Sequence, residues 1–487
     1  MSKAGKHVGK QSLLPWGEAC YRHGLSSEAI DVFDSKTGKV SQQWLSDCEA
    51  SRALTQDLLI EVSSVSNLVA ALQQVVKNGG IGGVDGMSLS ELKDWFSSHY
   101  QKLSEDILHS RYLPSPVLGV QIPKSSGGHR QLGIPTVKDR LVQQAIHQVL
   151  VKHYEVTFSD HSYGFRPNRN AHQALLKAGN YVSEGYHHVV DLDLEKFFDR
   201  VNHDRLMWLL GTRIGDKSLL KLIHRFLRSG MFSSGLISQR IQGTPQGSPL
   251  SPLLSNIVLD ELDKELSSRG HRFVRYADDL VIFVKSSKAA ERVSHSITSF
   301  IEEVMLLKVN RSKSRICRPY ALNFLGYSIL NDGSLGLSKL SEAKFKVKLK
   351  RLTRRNRGIS MVQLVKELNR LLRGWLNYFK LARMRKRLQG LCSWLRHRLR
   401  CFRLKQCKRP IGIFRFLVKQ GVVKWQAWIL ALSGKGWYRK SSCPQAHQAM
   451  NRRWFDEIGL FNLEQNYCYQ FKETAVYEST HSGVRGR

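Results

Sequence analysis

Four carboxylates in two short stretches are the residues of this chain best suited to chemistry. Asp278 and Asp279 stand side by side in Arg275-Tyr276-Ala277-Asp278-Asp279-Leu280-Val281-Ile282-Phe283. Phe273 and Val274 precede them, and the apolar run continues to Val284. β-Prone residues on both sides predict a strand, a tight turn and a second strand, with the two Asp at the tip. Neighbouring carboxylates repel, and a cation between them relieves the repulsion; oxygen donors of this kind suit Mg²⁺. An Asp-Asp pair alone is an ordinary solvated turn. A second acidic stretch, Val189-Val190-Asp191-Leu192-Asp193-Leu194, changes that reading because it alternates with period two. Val190, Leu192 and Leu194 then face a core, and Asp191 and Asp193 the other side. Laid beside the hairpin, one of these carboxylates completes a three-Asp site for two metal ions about 3.5–4 Å apart, which holds the attacking and leaving oxygens of an in-line phosphoryl transfer. An EF-hand around Asp191-x-Asp193 fails, because Lys196 stands where the loop needs Gly and Asn202 where it needs the bidentate Glu.

The flanking sequence must supply the elements that position these groups. Residues 58–76 have helical spacing and close at Asn78-Gly79-Gly80. The loop Gly82-Gly83-Val84-Asp85-Gly86 follows, then a second helix over 90–100. Residues 120–124 and 130–135 flank Ser125-Ser126-Gly127-Gly128 as a hairpin; its framing cations, Lys124 and Arg130, suit a triphosphate. Helices are expected over 139–154, 219–227 and 288–306. Gln242-Gly243-Thr244-Pro245-Gln246-Gly247-Ser248-Pro249-Leu250-Ser251-Pro252 holds two Gly and three Pro in eleven residues. Such a segment is a rigid approach to a helix starting near Leu253, with backbone N–H groups open to a ligand.

The 487 residues are enough for about three domains, and 42% hydrophobic content is ordinary for a globular protein. Lys and Arg outnumber Asp and Glu by 75 to 40, a net charge of +35. That balance implies a polyanionic partner. No run of 18 apolar residues and no cleavable leader pattern is present, so the expectation is a cytoplasmic protein on nucleic acid, away from membranes. Residues 339–409 alone carry 24 Lys or Arg against Glu342 and Glu367. Trp375, Tyr378, Phe379 and Trp394 recur there at helical intervals, which reads as amphipathic basic helices with one face packed and the other meeting phosphates. Eight cysteines form no C-x-x-C pair, and reduced thiols are expected. His153-Tyr154-Glu155 lacks the P-C-x-x-C partner of a zinc deaminase. Neither a Walker loop nor G-x-G-x-x-G occurs.

Tyr276-Ala277-Asp278-Asp279 resembles the signature box of reverse transcriptases. Asp191 to Asp199, continuing to Asn202-His203, resembles the first catalytic motif of one subfamily, the group II intron-encoded reverse transcriptase/maturase. Further boxes appear in the expected order: the hairpin at Lys124 and Arg130, Ser162-Tyr163-Gly164-Phe165-Arg166-Pro167, the 242–252 string, Asn310-Arg311-Ser312-Lys313-Ser314 and Phe324-Leu325-Gly326-Tyr327. Gly374-Trp375-Leu376-Asn377-Tyr378-Phe379 resembles the thumb/maturase signature.

The resemblance implies roles residue by residue. Asp193, Asp278 and Asp279 would be catalytic and hold two Mg²⁺ (or Mn²⁺), with the Leu194 carbonyl as a further ligand. Lys124, Arg130, Gln246 and Lys313 would lie at the nucleotide, with Phe198 as the steric gate against a ribose 2′-hydroxyl. Leu325, Gly326 and Tyr327 would form the primer grip. Arg166, Gly374, Trp375 and Tyr378 would meet RNA or template. The implied fold class is α+β: a right-hand polymerase with fingers and an antiparallel palm sheet, an α-helical thumb/maturase domain and a small helical C-terminal DNA-binding region. The expected boundaries are an N-terminal extension over 1–55, fingers and palm over 56–330, thumb over 331–415 and the DNA-binding region over 416–487. No HNH ligand set occurs, so second-strand cleavage is not expected. The expected function is RNA-directed DNA synthesis from dNTPs on an RNA template and a DNA primer, with binding of intron RNA for splicing and retromobility. The alternatives are an RNA-binding splicing cofactor with secondary polymerase activity, and a domesticated reverse transcriptase in repair or phage defence. Oligomeric state is not legible in the sequence.

Overall fold

The computed structural model describes residues 33–34, 39–40, 55–123, 128–233 and 235–469. Most of the 1–55 extension, and Lys124, lie outside the described residues. Two compact units divide between Arg318 and Pro319. This is ahead of the boundary at 330, so Phe324-Leu325-Gly326-Tyr327 belongs to the second unit.

In the first unit a two-residue antiparallel ladder, Phe33–Asp34 with Lys39–Val40, precedes α1 (Leu58–Ser63) and α2 (Val65–Asn78). The single helix expected over 58–76 is broken at Ser64, whose extended ψ of 140° ends α1 and whose side chain caps α2 by accepting from Asn67 N. Helix α3 (Leu89–Leu108) starts in a Ser88/Glu91 capping box and runs past residue 100. Strands β1 (Val117–Pro123) and β2 (His129–Ile134) form the expected hairpin. Helix α4 (Val137–Glu155) carries buried residues on every face, as a core helix does. Next come α5 (Ala171–Ser183), β3 (His188–Leu192), α6 (Phe197–Arg200), α7 (His203–Gly211), α8 (Lys217–Arg228), β4 (Met231–Ser233) and β5 (Leu236–Ser238). Helix α9 (Ser251–Ser268) leads into the hairpin β6 (Arg272–Tyr276) and β7 (Asp279–Val284). Helix α10 (Ser287–Ser299) passes into a π turn over Phe300–Val304 instead of continuing as α-helix to 306. Strand β8 (Arg315–Cys317) closes the unit.

Two four-stranded sheets result. The palm sheet has the order β8-β3-β7-β6, antiparallel at every step. The other sheet, β2-β1-β4-β5, contains one parallel pair, β1 with β4. Val190, Leu192, Phe273, Leu280 and Ile282 share one core with Leu253, Ile257 and Leu262 of α9. The opposite face is covered too: Tyr181 of α5 meets Phe283, with ring centroids 5.6 Å apart. Burial on both faces explains why the run from Leu280 to Val284 is apolar without alternation.

In the second unit a short ladder, β9 (Tyr327–Ile329) with β10 (Leu335–Leu337), precedes α11 (Lys339–Leu352), α12 (Met361–Phe379), α13 (Arg385–Gln406), α14 (Pro410–Lys419) and α15 (Lys424–Leu432). Helix α12 buries Leu364, Leu368, Leu372, Leu376 and Phe379 along one stripe. This amphipathic spacing turns the basic stretch into packed helices. Among the described residues no helix is long and apolar enough to cross a membrane, and the described cysteines are free thiols.

Candidate active site

The palm register brings the acidic stretches together. Leu192 pairs with Leu280 and Tyr276 with Asp279. Asp193 follows Leu192 and Asp279 precedes Leu280, so the next step of the same antiparallel register sets those two carboxylates opposite each other. Ala277 and Asp278 are the central residues of a two-residue turn, and Ala277 adopts φ +58°. That conformation is the one glycine favours, so the turn needs external support.

The support comes from behind. A Cβ on Gly164 would lie 2.3 Å from the Ala277 nitrogen, so only glycine lets this segment pass. Tyr163 N donates to the Arg275 carbonyl (2.9 Å), and Arg275 N to the His161 carbonyl (2.9 Å). Asn256 Nδ2 holds the Gly164 carbonyl at 2.9 Å. The Arg275 side chain is 1% exposed and Asp263 is fully buried. The guanidinium binds both Asp263 oxygens, Nε to Oδ1 at 2.7 Å, and donates from Nη1 to Asn256 Oδ1 and to the Ala277 carbonyl, each at 3.0 Å. Burial pushes the Asp263 carboxyl up and Arg275 pulls it back. Arg275, Asp263, Asn256 and Gly164 were not among the expected site residues. The available signal was a buried-strand Arg immediately before the acidic turn.

Asp193 is held by the 310–314 box. Its backbone N–H donates to Ser314 Oγ (3.1 Å), and its carbonyl accepts from Asn310 N (2.8 Å). Lys313 Nζ lies 2.9 Å from Asp193 Oδ2, and Arg315 Nε 3.2 Å from Asp191 Oδ2. Among the described residues no hydrogen bond reaches the Leu194 carbonyl. The Asp279 carboxyl is pushed up to about 6 by desolvation first, then by Asp278, Asp193 and Asp191, against the pull of Lys313. Burial likewise raises Asp191, against Arg315. These crowded oxygens suit a hard divalent cation. Among the described residues, however, no three Asp, Glu, His or Cys side chains form a ready-made cage. A site of few carboxylates completed by water and substrate phosphates is what such a donor set fits.

Three of the five residues expected at the nucleotide, Arg130, Phe198 and Gln246, line a cleft of about 580 Å³ in the first unit, together with Phe165, Gly247 and others. Lys313 is not among its lining residues and pairs with Asp193 instead. Arg130 Nε donates to Gln246 Oε1. Gly133 N donates to the Gln246 carbonyl at 3.0 Å, and a Cβ on Gly247 would lie 2.7 Å from the Gly133 oxygen. The 242–252 loop is thus seated on the β1/β2 hairpin through glycine. Phe197 is buried in the core, whereas Phe198 is half-buried and lines the cleft. Arg166 lies elsewhere. Its side chain is 3% exposed and donates to the Glu155 carboxylate and the Ser159 and Ser162 carbonyls, so it braces its own loop.

In the second unit Leu325 and Gly326, at φ +51° and +83°, make a two-residue turn closed by Phe324 and Tyr327. Tyr327 is fully buried, and its hydroxyl donates to the Tyr378 carbonyl; the Tyr378 hydroxyl donates back to the Leu325 carbonyl at 2.9 Å. Trp375 stacks on Phe345 at 4.1 Å. Tyr378 therefore holds the 325–326 turn directly, and Phe379 packs on Tyr327 with ring centroids 5.1 Å apart, while Trp375 lies one ring behind. Gly374 is exposed, and an added Cβ there would meet nothing within 4 Å.

Residues 122–329 match the model of the reverse transcriptase (RNA-dependent DNA polymerase) family, and 343–420 that of the group II intron maturase-specific domain. Protein YkfC of Escherichia coli is 31% identical over 300 residues, spanning 52% of this chain and 76% of YkfC. The chain belongs to the group II intron-type reverse transcriptase/maturase family. Another relative, the group II intron-encoded protein LtrA of Lactococcus lactis, is 30% identical over 308 residues, 50% of this chain and 51% of LtrA. The chain thus matches about half the length of that intron-encoded protein. A solved telomerase structure from Candida albicans has 14% identity and a TM-score of 0.37, covering 72% of this chain and 68% of that one.

Proposed function

We propose that the chain is a working RNA-directed DNA polymerase that extends a DNA primer with dNTPs on an RNA template, and that its basic second unit binds intron RNA for splicing and mobility. The Leu192–Leu280 register carries the reading, because it sets Asp193 against the Asp278–Asp279 turn. Asp193, Asp278 and Asp279, with the Leu194 carbonyl, would hold two Mg²⁺. When bound, such ions lower the pKa of the primer 3′-hydroxyl and neutralise charge on the departing pyrophosphate. Lys313 is 66% exposed, and an exposed ion pair contributes about 0–1 kcal/mol, so the ammonium readily leaves Asp193. Freed, it serves the triphosphate together with Arg130. Phe198 walls the cleft at the sugar, and Gln246 is fixed there by Arg130. The test is extension of a DNA primer on RNA with Mg²⁺ and dNTPs; no extension by folded protein overturns the polymerase reading. Loss of flanking-intron splicing on removal of the second unit's cations tests the RNA reading.

Three outcomes follow. Phe198→Ala will raise ribonucleotide relative to deoxynucleotide incorporation by about tenfold or more, read as the ratio of kcat/KM values. Because a proton competes with metal at Asp279, the Mg²⁺ needed for half-maximal extension will rise by up to about tenfold per pH unit below the Asp279 pKa of about 6. A flat Mg²⁺ requirement from pH 7 to 5 would remove Asp279 from the metal site. Glycine inside a helix costs about 0.5–1 kcal/mol relative to alanine, and nothing within the chain requires it at Gly374. Gly374→Ala will therefore raise the melting temperature slightly yet weaken template–primer binding, measured by anisotropy, if a strand approaches the helix there. Stabilisation with unchanged affinity would mean that no strand does.

A further inference from the structure

A second cavity, wholly within the second unit, has no part in the polymerase reading. It measures about 400 Å³ and is lined by Thr353, Arg354, Arg355, Asn356, Arg398, Cys401, Lys405 and Tyr438. Four of these eight residues are cations and none is an acid. Residues 339–409, which supply all of the lining but Tyr438, have two acids, and both are engaged elsewhere: Glu367 with Arg357 at 2.7 Å, and Glu342 with Lys346 at 2.7 Å. The side chains of Arg354, Arg355 and Lys405 have no ion-pair or hydrogen-bond partner among the described residues. Cations on an open surface point apart into water. Here they surround a hollow and feel one another: burial first, and Arg355 among its neighbours, pull the Arg398 pKa down.

Arg398 is built in rather than free. Its Nε donates to Thr353 Oγ1 at 2.6 Å, and its Nη2 reaches the Lys350 and Thr353 carbonyls at 3.3 Å. This orients the guanidinium at the end of α11 and leaves Nη1 without a partner among the described residues. A planar guanidinium held in place is suited to phosphate oxygens. At the other side stands Tyr438, 60% exposed. Its ring is backed by His397 at 4.1 Å, and His397 Nε2 lies 3.1 Å from the Tyr438 carbonyl. The cavity is far larger than a phosphate group and falls in the range of small-ligand sites, about 300–1,000 Å³. One guanidinium held in place and three cations without partners among the described residues, together with a backed, exposed aromatic face, suit a phosphate and a base at once.

We infer that this cavity captures a single unpaired nucleotide of a bound strand, its phosphate on Arg354, Arg355, Arg398 and Lys405 and its base on Tyr438. It would thereby recognise a bulge or extruded base by structure, beyond attracting backbone charge.

The test compares RNA hairpins that differ by one bulged nucleotide, with matched DNA hairpins as a second arm. Affinity is measured by fluorescence anisotropy at fixed salt, with 2-aminopurine at the bulge as a stacking reporter. Wild type will prefer the bulged form by at least about fivefold, the lower end for one stacked base. The arm that shows the preference identifies the sugar. Arg355→Gln/Lys405→Gln and Tyr438→Ala will bring the ratio close to one, and Tyr438→Phe will keep it. The bulged 2-aminopurine will be quenched by wild type and Tyr438→Phe but not by Tyr438→Ala. Circular dichroism melting screens each variant for folding; should Tyr438→Ala unfold, the double cation variant and the wild-type reporter decide. Equal affinity of wild type for bulged and paired hairpins of both kinds overturns the inference. So does an equal loss of affinity for both forms in folded variants, which would mark a backbone contact only.

Discussion

Asp279→Asn will lower primer extension by about a thousandfold or more, while the metal-free protein stays folded and becomes slightly more stable. The activity loss follows from the chemistry a divalent ion supplies. That chemistry amounts to several kcal/mol of charge stabilisation, and each 1.36 kcal/mol is tenfold in rate. The stability gain follows from the sign of the pKa shift. Asp279 rises from an ordinary 3.8 to about 6 in the folded protein, because its neighbours Asp278, Asp193 and Asp191 add to partial desolvation. A carboxyl raised on folding binds more protons folded than unfolded between these two values. Stability therefore falls as pH rises from about 4 to about 6, and the penalty is complete above that. Asp279 is exposed to solvent, so screening limits the gain to about 1 kcal/mol or less. In a protein of this size that is a rise of about 1–2 °C or less in the metal-free melting temperature at pH 7, and none at pH 4. A variant less stable than wild type at pH 7 without metal would show that the carboxylate belongs to the scaffold.

The second large effect lies beneath the turn. Asp263→Asn will destabilise the protein by about 3–5 kcal/mol, because it strands the Arg275 guanidinium in a fully buried site. Activity will fall with stability, which alone does not separate folding from positioning. The double variant Arg275→Met/Asp263→Leu does. Replacing both members of a buried pair with apolar groups of similar size is often nearly neutral for stability. In this pair, though, Arg275 also donates to the Ala277 carbonyl and to Asn256, which holds Gly164 against the turn. The double variant will recover most of the lost stability in denaturant unfolding but remain at least about tenfold below wild type in kcat, with KM for dNTP little changed. A misplaced metal-bearing turn lowers the chemical step more than substrate binding. Full recovery of kcat alongside stability would reduce the network to a core-filling role.

The palm was legible because its chemistry and its burial are written in adjacent residues. Asp193, flanked by Leu192 and Leu194, and Asp278-Asp279, followed by an apolar run, declare both a carboxylate site and the strands that carry it. The family boxes and the basic helices 339–409 were visible for the same reason, since a short motif or a periodic stripe is local information. The 58–76 helix was misjudged where Ser64, a good cap within a helical pattern, ended one helix and began the next. Arg166 was expected at the template only because the 162–167 box resembles a family motif. It is buried because Glu155 and two carbonyls satisfy it.

The sequence by itself determined the acidic residues, the order of the boxes and the excess of charge that calls for a polyanion. Only the tertiary structure decided which side chains share a site. Leu192 meets Leu280 across 88 positions of chain, and Arg130 reaches Gln246 across 116. Periodicity tells which face of a strand is buried but not which strand lies beside it. That choice depends on how α9, α5 and the palm strands together exclude water, a property of the packed core and not of any one segment.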